Sequence, residues 1–279
     1  MSPSRSVAGT QAIAVGRTAE IYPWDEERVI KLYRAGSSRE YVEREARVSR
    51  IAHQLGLPAP GVHDADSDDG LWETDGRLGV VYDWVDAPTM LSDLASRPWM
   101  VVAHSKALAA LHAQVHSASG SGLPDFRERI ARVIERVEGL PEKLRAAARR
   151  TLGGLPEGAR VCHGDFHPDN VLLRESGPMI VDWGPAACGH PCADVAWTVL
   201  LFRFGTPAGQ SLAVRAALAA FRGVSLRVYL RTYALLTGAT WHDVERWLGV
   251  IAVLRLGDRI PEERERLLAL IEKRLGERR

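Results

Sequence analysis

The chain has 279 residues, 46% hydrophobic and 25% charged, the composition of a soluble globular protein and not of a disordered one. With 36 Lys and Arg against 35 Asp and Glu its formal net charge is +1, which speaks against a broad nucleic-acid or membrane-surface footprint. Three cysteines make no disulfide framework, no run approaches about 18 consecutive apolar residues and no secretory core opens the chain, so a cytoplasmic protein of one large domain or two lobes is expected.

The first third reads as strands with one helix. Short β-like runs at 12–15 and 20–22 flank Gly16, and a third at 28–33 follows a turn at Pro23-Trp24-Asp25. Ser37, with Glu40 three residues on, predicts a capping box. The helix it opens runs to Leu55 and stops at Gly56 and Pro58. On that helix Tyr41, Glu45, Val48, Ala52 and Leu55 share one stripe, while Glu43, Arg47, Arg50 and Gln54 take the other side. A carboxylate on an apolar stripe either pairs or sits at the stripe's edge in reach of water, and Glu45 is open to both readings.

Extended runs at 71–74 and 77–85, joined by Asp75-Gly76, predict a hairpin. Helices are then predicted over 99–116, 125–137, 142–152, 193–204, 208–221, 225–236, 241–256 and 262–276, the last with a solvated Glu- and Arg-rich face. Short β runs at 160–163, 171–174 and 179–181 interrupt them. The organisation expected is α+β: a small antiparallel β-sheet lobe with one helix (residues 1–85), a connector near 83–88, and a larger mostly helical lobe (residues 86–279).

The β interlude, VCHGDFHPDNVLLRESGPMIVDWG, places Asp165 and Asn170 in the loop before 171–173. Glu175-Ser176-Gly177-Pro178 turns the chain, and Asp182 ends the returning strand 179–181. Such a hairpin brings Asn170 and Asp182 side by side at its open end. Magnesium takes hard oxygen ligands, commonly one or two carboxylates with substrate phosphates. A separate carboxylate can orient a hydroxyl nucleophile and accept its proton. Phosphoryl transfer fits this set, with Asp169 competing with Asp165 for the part of base.

H-G-D-x-x-x-x-N at 163–170 followed by D-W-G at 182–184 resembles the catalytic and metal-binding loops of the aminoglycoside phosphotransferase and choline kinase-like family. The resemblance implies a two-lobed protein-kinase-like fold, Asp165 as catalytic base, and Asn170 and Asp182 as Mg2+ ligands. Val29-Ile30-Lys31 resembles the strand whose lysine holds the phosphates of ATP (or GTP), and Glu45 would be its helix partner. The same resemblance assigns Gly16, Asp83, Val85 and Leu172 to the nucleotide. Gly189-His190-Pro191-Cys192-Ala193-Asp194-Val195-Ala196 is similar to the family's G-D-P-x-x-D-x-A run with His190 in place of its Asp, and Asp194 would brace the catalytic loop. Leu108-Ala109-Ala110-Leu111-His112 is a further landmark, so the likeness spans roughly residues 12–200.

Plainer readings stand beside these. Lys31 can be an exposed strand lysine, and Cys188-Gly189-His190-Pro191-Cys192 invites a zinc reading that lacks a fourth ligand. His163 and His167 suggest a metal centre, against which the kinase-like motif makes His163 a brace of the loop. Of the eight tryptophans, Trp197 reads as core, while Tyr233, Trp241 and Trp247 fall where the family builds its acceptor pocket. No A-P-E follows Asp182-Trp183-Gly184, which speaks against a protein kinase. The expectation is a small-molecule kinase that transfers the γ-phosphoryl group of ATP (or GTP) to a hydroxyl of an antibiotic, aminoglycoside-like or other, or of a small metabolite. Alternatives are a choline-, homoserine- or sugar-type metabolite kinase, or a nucleotide-binding pseudokinase. No nucleic-acid or membrane partner is expected.

Overall fold

The structure, a computed structural model, describes residues 7, 9–65, 70–204 and 212–276, with the backbone alone over 212–220. In chain order the first elements are β1 (Ala14–Val15), β2 (Ala19–Pro23), β3 (Arg28–Tyr33), α1 (Arg39–Gln54), β4 (Val62–His63), β5 (Trp72–Thr74) and β6 (Arg77–Asp83). Next come α2 (Met90–Ser96), α3 (Val101–Ser117), α4 (Phe126–Arg136), α5 (Glu142–Gly153), β7 (Arg160–Cys162), β8 (Val171–Arg174), β9 (Gly177–Ile180) and β10 (Ala187–Gly189). The chain closes with α6 (Pro191–Phe204), α7 (Leu212–Thr237), α8 (Trp241–Glu245), α9 (Leu248–Leu256) and α10 (Pro261–Leu275). Two compact units interleave along it: Met1–Met90 with Asp169–Pro185, and Leu91–Pro168 with Ala186–Arg279. Among the described residues no helix is long and apolar enough to cross a membrane.

The first unit is built on an antiparallel sheet in the order β1-β2-β3-β6-β4, with β5 also pairing β6. β6 pairs β3 along one edge and shares its other edge between β5 and β4. Alternation along β3 sorts its side chains. Ile30 and Leu32 join Val7, Trp24 and Val81, where the Trp24 and Trp72 rings meet edge to face with centroids 4.8 Å apart. Tyr33 joins Ala19, Val42, Ala46, Leu71 and Val80 in the core shared with α1. Lys31 therefore leaves β3 on the α1 side.

Helix α1 begins one residue later than the capping box predicts. Ser38 caps it, its Oγ accepting from the Tyr41 N–H at 3.3 Å, while Ser37 is still in a turn with its N–H on the Arg34 carbonyl. Its buried face is Val42, Glu45, Ala46, Val48, Ser49 and Ala52; Leu55, expected on the stripe, is exposed because the helix ends before it. β8 and β9 form a hairpin that turns on Glu175 and Ser176 alone, with Gly177 at φ +116°, so β9 starts at 177 and not at 179. This hairpin is stitched into the first unit by Leu173 N–H to the Pro88 carbonyl (2.9 Å) and Ile180 N–H to the Pro58 carbonyl (2.6 Å).

In the second unit α9 is buried from Leu248 to Leu254 and packs against α4, α5, α6 and α10. α3 packs along α7, α6 is buried from Cys192 to Leu200, and β7 pairs antiparallel with β10. Two sequence expectations change here. The helices predicted at 208–221 and 225–236 are one 26-residue helix, α7, which Gly223 does not interrupt; positions 208–211 lie outside the described residues. The helix predicted over 241–256 breaks into α8 and α9, because the Trp247 N–H turns to the Val244 carbonyl, three residues back, instead of continuing the four-residue ladder. The two-residue β4, the three-residue β10 and the short α2 have no periodicity by which to be foreseen.

Candidate functional site

Each unit gathers side chains that the sequence singles out. In the first, the Lys31 ammonium donates to Glu45 Oε1 and, at 2.7 Å, to Asp182 Oδ1. Glu45 is 2% exposed, which overturns the reading of it as an edge residue reaching water. The Lys31 side chain is 13% exposed, so it is not a solvated strand lysine. Burial alone would lower its pKa, but the Glu45 and Asp182 carboxylates outweigh that and hold it well above the ordinary lysine value. Asp182 itself has φ +64°, a left-handed backbone that few non-glycine residues adopt. Beside it Gly184 leaves room for Glu45: a Cβ there would lie 2.6 Å from Glu45 Oε2.

The Asn170 carbonyl accepts from the Val181 N–H at 3.0 Å, which continues the β8–β9 ladder and puts Asp182 next to the residue opposite Asn170. An amide oxygen and a carboxylate so placed are a hard oxygen donor set of the kind magnesium takes. Leu172 forms a bridge with Thr89 at the end of the connector, in which the Val85 carbonyl accepts from the Ala87 N–H. Asp169 is turned to the same connector, its Oδ1 accepting from Thr89 Oγ1 at 3.0 Å. Gly16 bonds Ala19 across the β1–β2 turn. Asp83 is committed structurally, its carboxylate accepting from the Gly61 N–H (2.7 Å) and sitting 2.7 Å from His63 Nε2. Burial raises the Asp83 pKa, but these two partners together bring it below the usual value.

In the second unit Asp165 follows Gly164, which has φ +78°. Its side chain is 27% exposed; Oδ1 accepts from the Trp197 indole N–H at 3.2 Å and Oδ2 lies 3.7 Å from His167 Nε2. Burial acts to raise its pKa, and His167 and then Trp197 outweigh it, leaving the carboxyl at about 2. The loop that carries it is pinned from below. Asp194, fully buried, accepts from the backbone N–H groups of His163 and Gly164, the latter at 2.9 Å. It also sits 3.0 Å from His112 Nε2 and 3.3 Å from His116 Nε2. Behind the two imidazoles, His112 Nδ1 meets the Tyr229 hydroxyl at 2.6 Å and His116 Nδ1 meets that of Tyr233 at 2.7 Å.

This arrangement fixes protonation states. An ionised Asp194 is acceptor-only, so both Nε2 atoms carry hydrogen, and in a neutral His112 the Nδ1 then accepts from the Tyr229 hydroxyl. Burial pushes His112 down to about 3, consistent with a neutral ring, and the imidazole donors hold Asp194 well below the usual carboxylate value despite its burial. Among the described residues His112, His116 and Asp194 are the one group arranged to hold a metal, and hydrogen bonds already satisfy its ring nitrogens. Cys188, His190 and Cys192 form no such group, and all three cysteines are free thiols.

Sequence reasoning singled out Asp165, Asn170, Asp182, Asp194 and His112 but did not foresee Trp197 as a partner of Asp165 or the two tyrosines behind the histidines. A signal for the tyrosines was available: His112 and His116 on α3, and Tyr229 and Tyr233 on α7, are each four residues apart, so the two faces meet in register. Of the aromatic residues considered for an acceptor, Trp247 is buried and stacked on His190, Trp241 is 38% exposed, and Tyr233 lines a cavity of about 590 Å³ with His190, Asp243 and Arg246.

The sequence matches the model of the APH phosphotransferase enzyme family over residues 11–235. A search of curated proteins gives no match. Among solved structures the chain is similar to aminoglycoside-3'-phosphotransferase of type VIII, at 20% identity over 89% of this chain and 90% of that one, with a TM-score of 0.59. It is similar to a thermostable variant of aminoglycoside phosphotransferase APH(4)-Ia in ternary complex with ADP and hygromycin B, at 14% identity over 96% and 92% of the two chains, TM-score 0.64. Amicoumacin kinase hAmiN, in complex with AMP-PNP, Ca2+ and Ami, matches at 14% identity over 96% and 87%, TM-score 0.64. At these identities the likeness is one of fold, and that fold is protein-kinase-like.

Proposed function

The chain belongs to the APH phosphotransferase enzyme family, and from that premise we propose that it transfers the γ-phosphoryl group of ATP or GTP to a hydroxyl of a small molecule. The observation that carries this is the convergence of Lys31, Glu45 and Asp182, distant in sequence, on one buried ammonium. Residues 1–85 act as the nucleotide-binding lobe and 86–279 as the catalytic and acceptor-binding lobe. Lys31 binds the nucleotide phosphates while Glu45 holds its ammonium, and Gly16, Val85 and Leu172 contact the nucleotide. Asp83 serves through its backbone, because its carboxylate is engaged by Gly61 and His63. Asn170 and Asp182 would hold Mg2+, which supplies neutralisation of the phosphate charge.

Asp165 orients the acceptor hydroxyl and takes its proton. With a pKa of about 2 it stays ionised at neutral pH and is far too weak a base to deprotonate an alcohol in advance. It therefore works by alignment and by receiving the proton late, as a loose phosphoryl-transfer transition state requires.

We favour a hydroxylated antibiotic as the acceptor, since neighbours of the same fold are bound to hygromycin B or named for amicoumacin. One observation favours a less charged metabolite such as a choline-, homoserine- or sugar-type alcohol. Three acidic groups near the last helices are already paired, Glu245 with Arg274 and both Asp258 and Glu263 with Arg255, and Asp243 is engaged in the cap of α8, which lessens the pull on a polycation. Mass spectrometry of a mixed panel of hydroxylated antibiotics and metabolites, incubated with the protein, Mg2+, ATP and GTP, decides. One compound should gain a single phosphoryl group, and Asp165→Ala should slow that gain by about 10²–10⁴-fold. Full activity in Asp165→Ala would remove Asp165 as the base, and nucleotide binding with neither transfer nor hydrolysis would favour a nucleotide-binding pseudokinase.

A further inference from the structure

Trp197 is 3% exposed and lies one helical turn beyond Asp194 on α6. Residues three apart on a helix share a face. The same face of α6 thus holds the catalytic loop twice: Asp194 takes its backbone N–H groups, and Trp197 reaches its carboxylate. An indole N–H is a donor only, and when buried it needs an acceptor. Here that acceptor is Asp165 Oδ1 at 3.2 Å. The N–H is the part of this side chain that packing leaves unexplained.

The ring is held in turn. The Arg255 guanidinium lies 5.4 Å from its centroid, and Arg255 cannot swing away, because Glu263 grips it through two bonds of 2.8 and 2.9 Å and Asp258 through one of 3.0 Å. We propose that Trp197 is the positioning residue of the base: clamped by Arg255, its N–H fixes Oδ1 of Asp165 and so dedicates Oδ2, on the His167 side, to the acceptor's proton. A carboxylate held at one oxygen is restrained from rotating, so the reacting lone pairs lose less freedom on binding. This role rests on the reading of Asp165 as the base.

The test needs no identified acceptor if water takes the phosphoryl group, so the probe reaction is Mg2+-dependent ATP hydrolysis. Trp197→Phe keeps a ring under Arg255 and removes the donor. Replacement of Trp197 by 3-benzothienylalanine keeps the whole bicyclic ring and exchanges only N–H for sulfur, which serves if the phenylalanine variant fails to fold. The Asp165 carboxyl is followed by ¹³C NMR titration, its signal identified by its loss in Asp165→Asn. Loss of one hydrogen bond to a charged group should lower kcat about 10- to 100-fold with the KM for ATP unchanged. The Asp165 titration midpoint and the acidic limb of the kcat profile should both move to higher pH. An unmoved midpoint and an unmoved kcat in the benzothienyl protein would reduce Trp197 to packing. If Asp165→Asn instead hydrolyses ATP as fast as the wild type, the base reading fails on its own, and the NMR midpoint still reports whether Trp197 holds the carboxylate.

Discussion

Lys31 keeps its charge against burial only because two carboxylates meet it, and the two are not equivalent. Glu45 is almost wholly buried and comes from a packed helix, whereas the Asp182 side chain is 43% exposed and sits at a hairpin end. Glu45 is thus the fixed partner and Asp182 the one free to serve another cation. Glu45→Gln should lower the Lys31 pKa, because burial then acts against a single exposed carboxylate. Gly184→Ala should do the same without touching a charge, since its Cβ would lie 2.6 Å from Glu45 Oε2 and must push that carboxylate aside. Titration of the Lys31 side chain by NMR, with nucleotide affinity measured in parallel, checks both. A Gly184→Ala protein with an unshifted Lys31 would show that Glu45 has room the packing does not suggest.

At the scale of elements, α1 shows what a sequence can and cannot locate. Its existence and buried face follow from the 3.6-residue period, but its start rests on which of two adjacent serines adopts the capping conformation. Ser38 does, with ψ 139° and a bond to Tyr41 N–H. Ser38→Ala should therefore lower stability by about 1 kcal/mol while Ser37→Ala changes it little, as read from urea unfolding midpoints. Strands with a strong pattern, such as β3 and β8, have the same bounds in sequence and structure. The elements that escaped are those whose form is decided by neighbours. β4 is a strand only because β6 offers it an edge, Gly223 stays helical inside a helix packed along α3, and the α8–α9 step depends on one backbone bond at Trp247. Local propensity carries no trace of such tertiary choices.

In the molecule as a whole the same division holds for the candidate site. Asp165, Asn170 and Asp182 are legible as candidates because they are polar residues set beside short apolar strands in the spacing of a known motif. Trp197, Tyr229 and Tyr233 are not, because each reads as apolar filling and its polar atom finds its partner 32 or 117 residues away. That buried network also gives the protein a definite response to acid. His112, 0% exposed, has its pKa pushed down to about 3 by burial and by the neighbouring His116, whereas an unfolded histidine titrates near 6.5. Between those values the unfolded chain binds one more proton than the folded one, so stability rises with pH and is lost as pH falls, by up to about 1.4 kcal/mol per unit. His190, also lowered by burial, acts in the same sense. Asp194 and Asp165 have folded pKa values below their unfolded ones, so their contribution is present above about pH 4 and is lost as pH falls through the folded values. The unfolding free energy from urea titrations should therefore decline in two stages, gently from pH 6.5 and more steeply below 4. His112→Gln should start lower at pH 7, for want of a donor placed like Nε2, yet lose less between pH 6.5 and 4. A variant slope equal to that of the wild type would place the proton uptake on some other group and break the link between the buried histidine and acid lability.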